Sequence, residues 1–86
     1  MSYDVEFTSE ATDSLEKLTS AIQECILSKI RWLSEDLDNL TPQSLSADLS
    51  GLFKLRVGDY RIIYSFDPSE ERITVHKVGH RRDVYN

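Results

Sequence analysis

Cysteine is all but missing: Cys25 stands alone, so neither an intramolecular disulfide nor a cysteine-based zinc site can be built. Two histidines are too few for a His-rich metal cluster. No apolar run approaches the roughly 20 residues of a membrane-spanning helix. The opening Met-Ser-Tyr-Asp-Val-Glu has neither the basic nor the apolar region of a signal peptide. With three glycines and two prolines there is no low-complexity segment, and no internal repeat is present. The expectation is a cytoplasmic protein that needs no metal.

What is there suits a soluble globular chain: 40% hydrophobic and 29% charged residues over a length of 86. That length excludes two cores, and residues 1–86 read as a single domain. One core of this size buries only roughly 60–65% of the surface its unfolded chain exposes, so its stability is modest or is borrowed from a partner.

The net charge of −5 argues against nucleic-acid binding, but the average hides a division. Residues 1–50 carry Lys17, Lys29 and Arg31 against ten acidic residues, a balance of −7. Residues 51–86 carry seven basic and five acidic residues, a balance of +2. An anionic partner would therefore meet the C-terminal half.

Tyr3, Val5 and Phe7 alternate with Asp4 and Glu6, the period of a half-buried strand. Ser9 then stands as a cap before Ala11, Leu15 and Leu18, which predicts a helix ending near Thr19. Ser20 and Gln23 match a capping box ahead of Ile22, Ile26, Ile30, Leu33 and Leu37, which predicts a second helix over about 21–37. Trp32 and Cys25 on that helix read as packing residues. Residues 38–50 have the composition of a connector, anchored by Leu45 and Leu49. From Leu52 onward the period is two, predicting strands near 52–57, 60–66 and 72–79. The sum is an α+β fold: an N-terminal strand and a two-helix hairpin packed on a three- to four-stranded antiparallel sheet.

The two-residue Gly58-Asp59 loop sets Val57 opposite Tyr60 and so fixes the pairs behind it: Arg56 with Arg61, Leu55 with Ile62, Lys54 with Ile63. One face is apolar from Phe53 to Phe66. The other gathers Lys54, Arg56 and Arg61, although opposed like charges cost a sheet tenths of a kcal/mol. A phosphodiester-binding surface and a merely solvated face both fit this geometry. After the last strand come His80, Arg81, Arg82 and Tyr85, a set able to transfer protons, bind phosphate and stack on a base. Lys77 and Arg82 are further candidates for RNA contact, although the face Lys77 uses depends on register across the 67–71 turn.

Gly51-Leu-Phe-Lys-Leu-Arg-Val-Gly-Asp-Tyr-Arg-Ile-Ile-Tyr64 and Val78-Gly-His-Arg-Arg-Asp-Val-Tyr85 closely resemble the RelE branch of the RelE/ParE toxin superfamily, as do Val5-Glu-Phe-Thr8 and the helix from Ala11 to Leu18. The likeness spans nearly the whole chain. It implies the toxin of a type II toxin–antitoxin pair, an endoribonuclease that enters the ribosomal A site and cuts mRNA there without cofactor or metal. In that branch the ribose 2′-OH attacks the adjacent phosphate, leaving a 2′,3′-cyclic phosphate and a 5′-OH.

The catalytic set implied is Lys54, Arg56, Arg61, Arg81 and Tyr85. Arg61 and Arg81 would stabilise the phosphorane, and Tyr85 would stack on or orient the nucleotide. Lys54 and His80 are rivals for general base. Arg56 stands where some relatives carry lysine, and arginine holds its proton too tightly for that role. The chain also departs from the strong basicity common among ribosome-directed members. A ParE-like gyrase inhibitor and an inactive, antitoxin-binding member are the alternatives. Every version implies a cognate antitoxin, with the toxin monomeric on its own.

Overall fold

In the computed structural model, which describes residues 2–39, 43–44 and 51–84, the opening alternation forms strand β1, Asp4–Phe7. Helix α1, Ser9–Glu16, follows at once and is capped by Thr8, whose hydroxyl oxygen accepts from the Ala11 amide. Helix α2, Ser20–Asp36, begins the same way, with Thr19 accepting from the Ile22 amide. Both caps therefore lie one residue before the serines the sequence suggested. Capping preference barely separates neighbouring Thr and Ser; at α1 Thr8 is further held by its hydroxyl bond to the His76 carbonyl. Gln23 closes no box with Ser20 and instead donates its side-chain amide to the Leu18 carbonyl.

The strands β2 (Gln43–Ser44), β3 (Phe53–Val57), β4 (Tyr60–Asp67) and β5 (Arg72–His80) join β1 in one sheet of order β1-β5-β4-β3-β2. The meander β3-β4-β5 is antiparallel, in the register expected around Gly58-Asp59. To it the structure adds β1, which runs parallel to β5 with Asp4 opposite Arg72, and the short β2, with Gln43 opposite Lys54. The anchoring proposed for Leu45 and Leu49 lies outside the described residues. A four-residue helix, α3 (Arg81–Val84), follows β5 directly.

One sheet face is closed by the helices. Ile26, Ile30 and Leu33 of α2 meet Ile62, Tyr64, Ile73, Val75 and Val78, with Ala11 of α1 buried beside them. Each such aliphatic side chain contributes about 1.5–3 kcal/mol on burial. Burial also raises the Tyr64 phenol above its ordinary 10.0. The start of the chain is tied down by Tyr3, whose amide donates to the Ser34 carbonyl and whose hydroxyl donates to Asp38 at 2.9 Å.

Trp32 and Cys25 correct the sequence reading. Both face outward, Trp32 with 37% of its surface exposed and the Lys29 ammonium 3.9 Å from its ring centre. They sit one position off the stripe of Ile26, Ile30 and Leu33 that meets the sheet. Among the described residues no helix is long and apolar enough to cross a membrane.

Candidate functional site

The face turned away from the helices is built by register. Gly58, at φ 60°, makes the left-handed corner that a two-residue hairpin loop requires. Behind it, Lys54 of β3 lies opposite Ile63 of β4, which lies opposite Lys77 of β5; Arg56, Arg61 and Gly79 form the adjoining row. Lys77 thus joins the cationic face, which answers the question its sequence left open. Ile63 retains only 5% of its exposure yet stands apart from the helix-side core. It forms an apolar floor between two lysines, and exclusion of water there strengthens the field they exert.

Lys77 reaches this face because β5 is bulged. Ile63 pairs with Lys77 but Tyr64 pairs with Val75, so His76 is left without a partner in the ladder. Ile73 and Val75 before the bulge and Val78 after it all point into the core. His76 and Lys77 therefore both point outward, side by side. Thr8 holds the bulge: its amide donates to the Val75 carbonyl at 3.0 Å and its hydroxyl to the His76 carbonyl at 3.1 Å. On the outer face, His76 Nε2 and Ser65 Oγ share a hydrogen bond of 2.8 Å.

Directly opposed Arg56 and Arg61 are tolerated because one of them folds away. Arg61 donates from Nη1 to the carbonyls of Gly58 at 2.8 Å and Tyr60 at 2.9 Å, while Arg56 extends into solvent. Arg81 begins α3 at the same turn, its amide donating to the Asp59 carbonyl at 2.8 Å, and the Arg81 and Arg82 side chains are exposed. Gly79 has no side chain to fill the space beside Arg61, where a Cβ would lie 3.4 Å from Val84 Cγ2. Tyr85 lies outside the described residues.

His80 is not brought to this cluster. It faces Tyr60 on the helix side of the sheet, its ring edge-on at 5.6 Å between centres, and its Nδ1 accepts from the Arg82 amide. The bulge sets this too, since it moves every residue after His76 by one position. The pair of Ser65 and His76 was not visible in the sequence because it spans β4 and β5, whose register the 67–71 turn leaves open.

At its far end the face turns acidic. A cleft of 230 Å³ there is lined by Glu6, Asp67, Glu70, Arg72, Ser65 and Thr74. Arg72 is paired with Glu6 at 3.6 Å. The Ser69 hydroxyl, donating to Asp67, holds that carboxyl below its ordinary 3.8. Much of the acidity of the first half lies across the sheet, where Glu10, Asp13, Glu16, Glu24 and Glu35 are exposed on the helices. The net charge of the chain therefore says little about the field over the cationic rows. Among the described residues no group of three or more His, Cys, Asp or Glu side chains is gathered to hold a metal.

A small sheet with one face under a helical hairpin and the other carrying arginines and lysines has counterparts among known proteins. The chain is similar over 96% of its length to the toxin–antitoxin complex RelBE2 of Mycobacterium tuberculosis, with a TM-score of 0.84, 30% identity and 95% of that chain covered. It is 31% identical to the toxin RelG of the same organism across 99% of this chain and 98% of that one. The isolated RelE toxin of E. coli shares the fold at a TM-score of 0.76 and 22% identity, with 96% and 90% of the two chains covered. Residues 5–85 match the model of the ParE toxin of type II toxin–antitoxin systems. The chain belongs to that family, within the RelE/ParE superfamily, and is a toxin of a type II toxin–antitoxin system.

Proposed function

We propose that this toxin is an endoribonuclease that cuts mRNA in the ribosomal A site and is neutralised by a cognate antitoxin. The observation that carries the reading is the convergence of Lys54, Arg56, Arg61 and Lys77 on one sheet face beside the start of α3. In the reaction a base takes the proton of the ribose 2′-OH, the 2′ oxygen attacks the adjacent phosphorus, and the 5′ oxygen leaves with a proton. The products are a 2′,3′-cyclic phosphate and a 5′-OH. Arg61 and Arg81 stabilise the extra negative charge on the phosphorane, the kind of help that usually dominates catalysis. For this, Arg61 exchanges its bonds to the turn carbonyls for bonds to phosphate oxygens, which are charge-assisted and stronger.

Lys54 is the better candidate for the base, since it stands on the cationic face and His80 on the other. Tyr85 stacks on the nucleotide being cut, and Arg82 adds a phosphate contact. No metal enters these steps, because the cationic side chains supply the charge. The antitoxin reading rests on relatives such as RelBE2, which are toxin–antitoxin complexes.

The test is primer extension on mRNA from a reconstituted translation reaction with ribosomes, without them, and with Arg61→Ala. Cuts inside the A-site codon that need both ribosomes and Arg61 are expected. Intact mRNA with a folded chain would refute the reading. The match to the ParE model favours a second target, DNA gyrase; in that case the chain blocks gyrase supercoiling and leaves mRNA whole.

A further inference from the structure

From the bulge in β5, we infer that Ser65 and His76 form a binding site for a nucleobase of the RNA strand, beside the nucleotide being cut. The inference rests on the RNA-cutting reading above and adds to it a contact outside the cationic set. Bulges re-aim side chains and concentrate next to active sites. This one brings Lys77 onto the outer face beside His76, and two bonds from Thr8 to the carbonyls of Val75 and His76 fix the bulge.

The pair is built to meet a neutral polar edge. Ser65 and His76 are half-buried and joined at 2.8 Å, so the imidazole plane is held by its partner. If the hydroxyl donates, the ring presents an outward Nδ1–H; if Nε2 donates, the serine O–H is free and Nδ1 accepts. Either arrangement offers a hydrogen-bond donor beside an aromatic surface, the combination that captures unstacked RNA bases.

Position separates this site from the reacting phosphate. Ser65 is four residues from Arg61 along β4, roughly 13 Å at the rise of a strand. Charge selects base over phosphate, because beyond Ser65 the face carries Glu6, Asp67 and Glu70 against the single cation Arg72, which is paired with Glu6. A phosphate on this pair would face those carboxylates, whereas a neutral base carries no such penalty and leaves its own phosphate over Lys77 and Lys54. The acidic cleft then marks where the strand leaves the protein.

The experiment uses the whole chain and two probes, a 2′-O-methyl RNA hexamer that cannot be cut and the same strand with its bases removed. NMR follows the imidazole signals of His76 with each strand. The intact hexamer is expected to shift His76 and the abasic strand to leave it in place. His76→Ala is expected to weaken binding of the intact strand on the order of tenfold and to change abasic binding little. Ser65→Ala, which keeps the imidazole and the bulge but frees the ring, should cost part of the same loss. An unshifted His76, whether or not the amides of Lys54 and Lys77 move, overturns the inference. An equal loss of affinity for both strands overturns it too. Primer extension with wild-type protein is read separately: base-dependent binding without cutting would sink the nuclease reading and keep this site, while cutting with an indifferent His76 would do the reverse.

Discussion

Thr8 holds the cap of α1 and the bulge of β5 with one hydroxyl, so Thr8→Val measures what joins the helix layer to the cationic face. Valine keeps the β-branch and suits the extended backbone, φ −70° and ψ 164°. What goes is the bond accepted from the Ala11 amide and the bond donated to the His76 carbonyl, both 3.1 Å. A lost threonine cap costs about 1 kcal/mol, and a partly buried carbonyl left without its donor costs about 1 kcal/mol more. The expected loss is about 2 kcal/mol, out of a total of about 4–13 kcal/mol for a chain of this length. In thermal unfolding that is a fall in Tm of about 8–16 °C. Thr19→Val is the control, since Thr19 makes one exposed bond of 3.4 Å and should cost less than about 1 kcal/mol. Urea unfolding followed by far-UV circular dichroism measures both. If Thr8→Val costs no more than Thr19→Val, water replaces the threonine at the His76 carbonyl and the bulge is held by something else.

Other perturbations read other parts of the molecule. Arg61→Ala and Arg81→Ala should each lower mRNA cutting by about 10²–10³-fold, with unfolding curves and antitoxin binding unchanged; retained cutting would remove them from the site. Gly58→Ala forces a Cβ into the left-handed region with no atom within 4 Å to clash, so its cost of about 1–2 kcal/mol is purely conformational. Gly58→Asn should cost clearly less in the same urea titration. Tyr3 is raised above 10.0 chiefly by its hydrogen bond to Asp38, and Tyr64 by burial. Their stability contribution is therefore complete below pH 10 and is lost as pH rises through the higher folded values. Tyr3→Phe should make stability fall less steeply above pH 10, and an unchanged alkaline limb would contradict the assignment.

The β3-β4 hairpin was readable residue by residue because a two-residue loop leaves one register, and every pair from Val57 with Tyr60 to Lys54 with Ile63 follows from it. The core stripe of α2 was readable from the spacing of Ile26, Ile30 and Leu33. Local preference could not place the caps, because neighbouring Thr and Ser compete for one position and differ by tenths of a kcal/mol. Nor could alternation place anything after His76, since a bulge inverts the faces of all that follows. That single slip accounts for Lys77, whose side was undecided, and for His80, the rival of Lys54 for general base, which packs on Tyr60 on the other face. The parallel pairing of β1 with β5 was hidden too, because it joins segments with most of the chain between them.

That pairing governs when the toxin comes into being. Asp4–Phe7 has its partner in Arg72–Val75, so while a nascent chain grows, its first strand has nothing to bond to. Ile26, Ile30 and Leu33 likewise have no sheet to lie on until β4 and β5 are made. Such distant contacts also slow closure, since the loop between them must be ordered first. The row of Lys54, Ile63 and Lys77 is likewise complete only when β5 docks. The sheet therefore closes all at once, when Arg72–His80 has been made and both of its neighbours can pair with it.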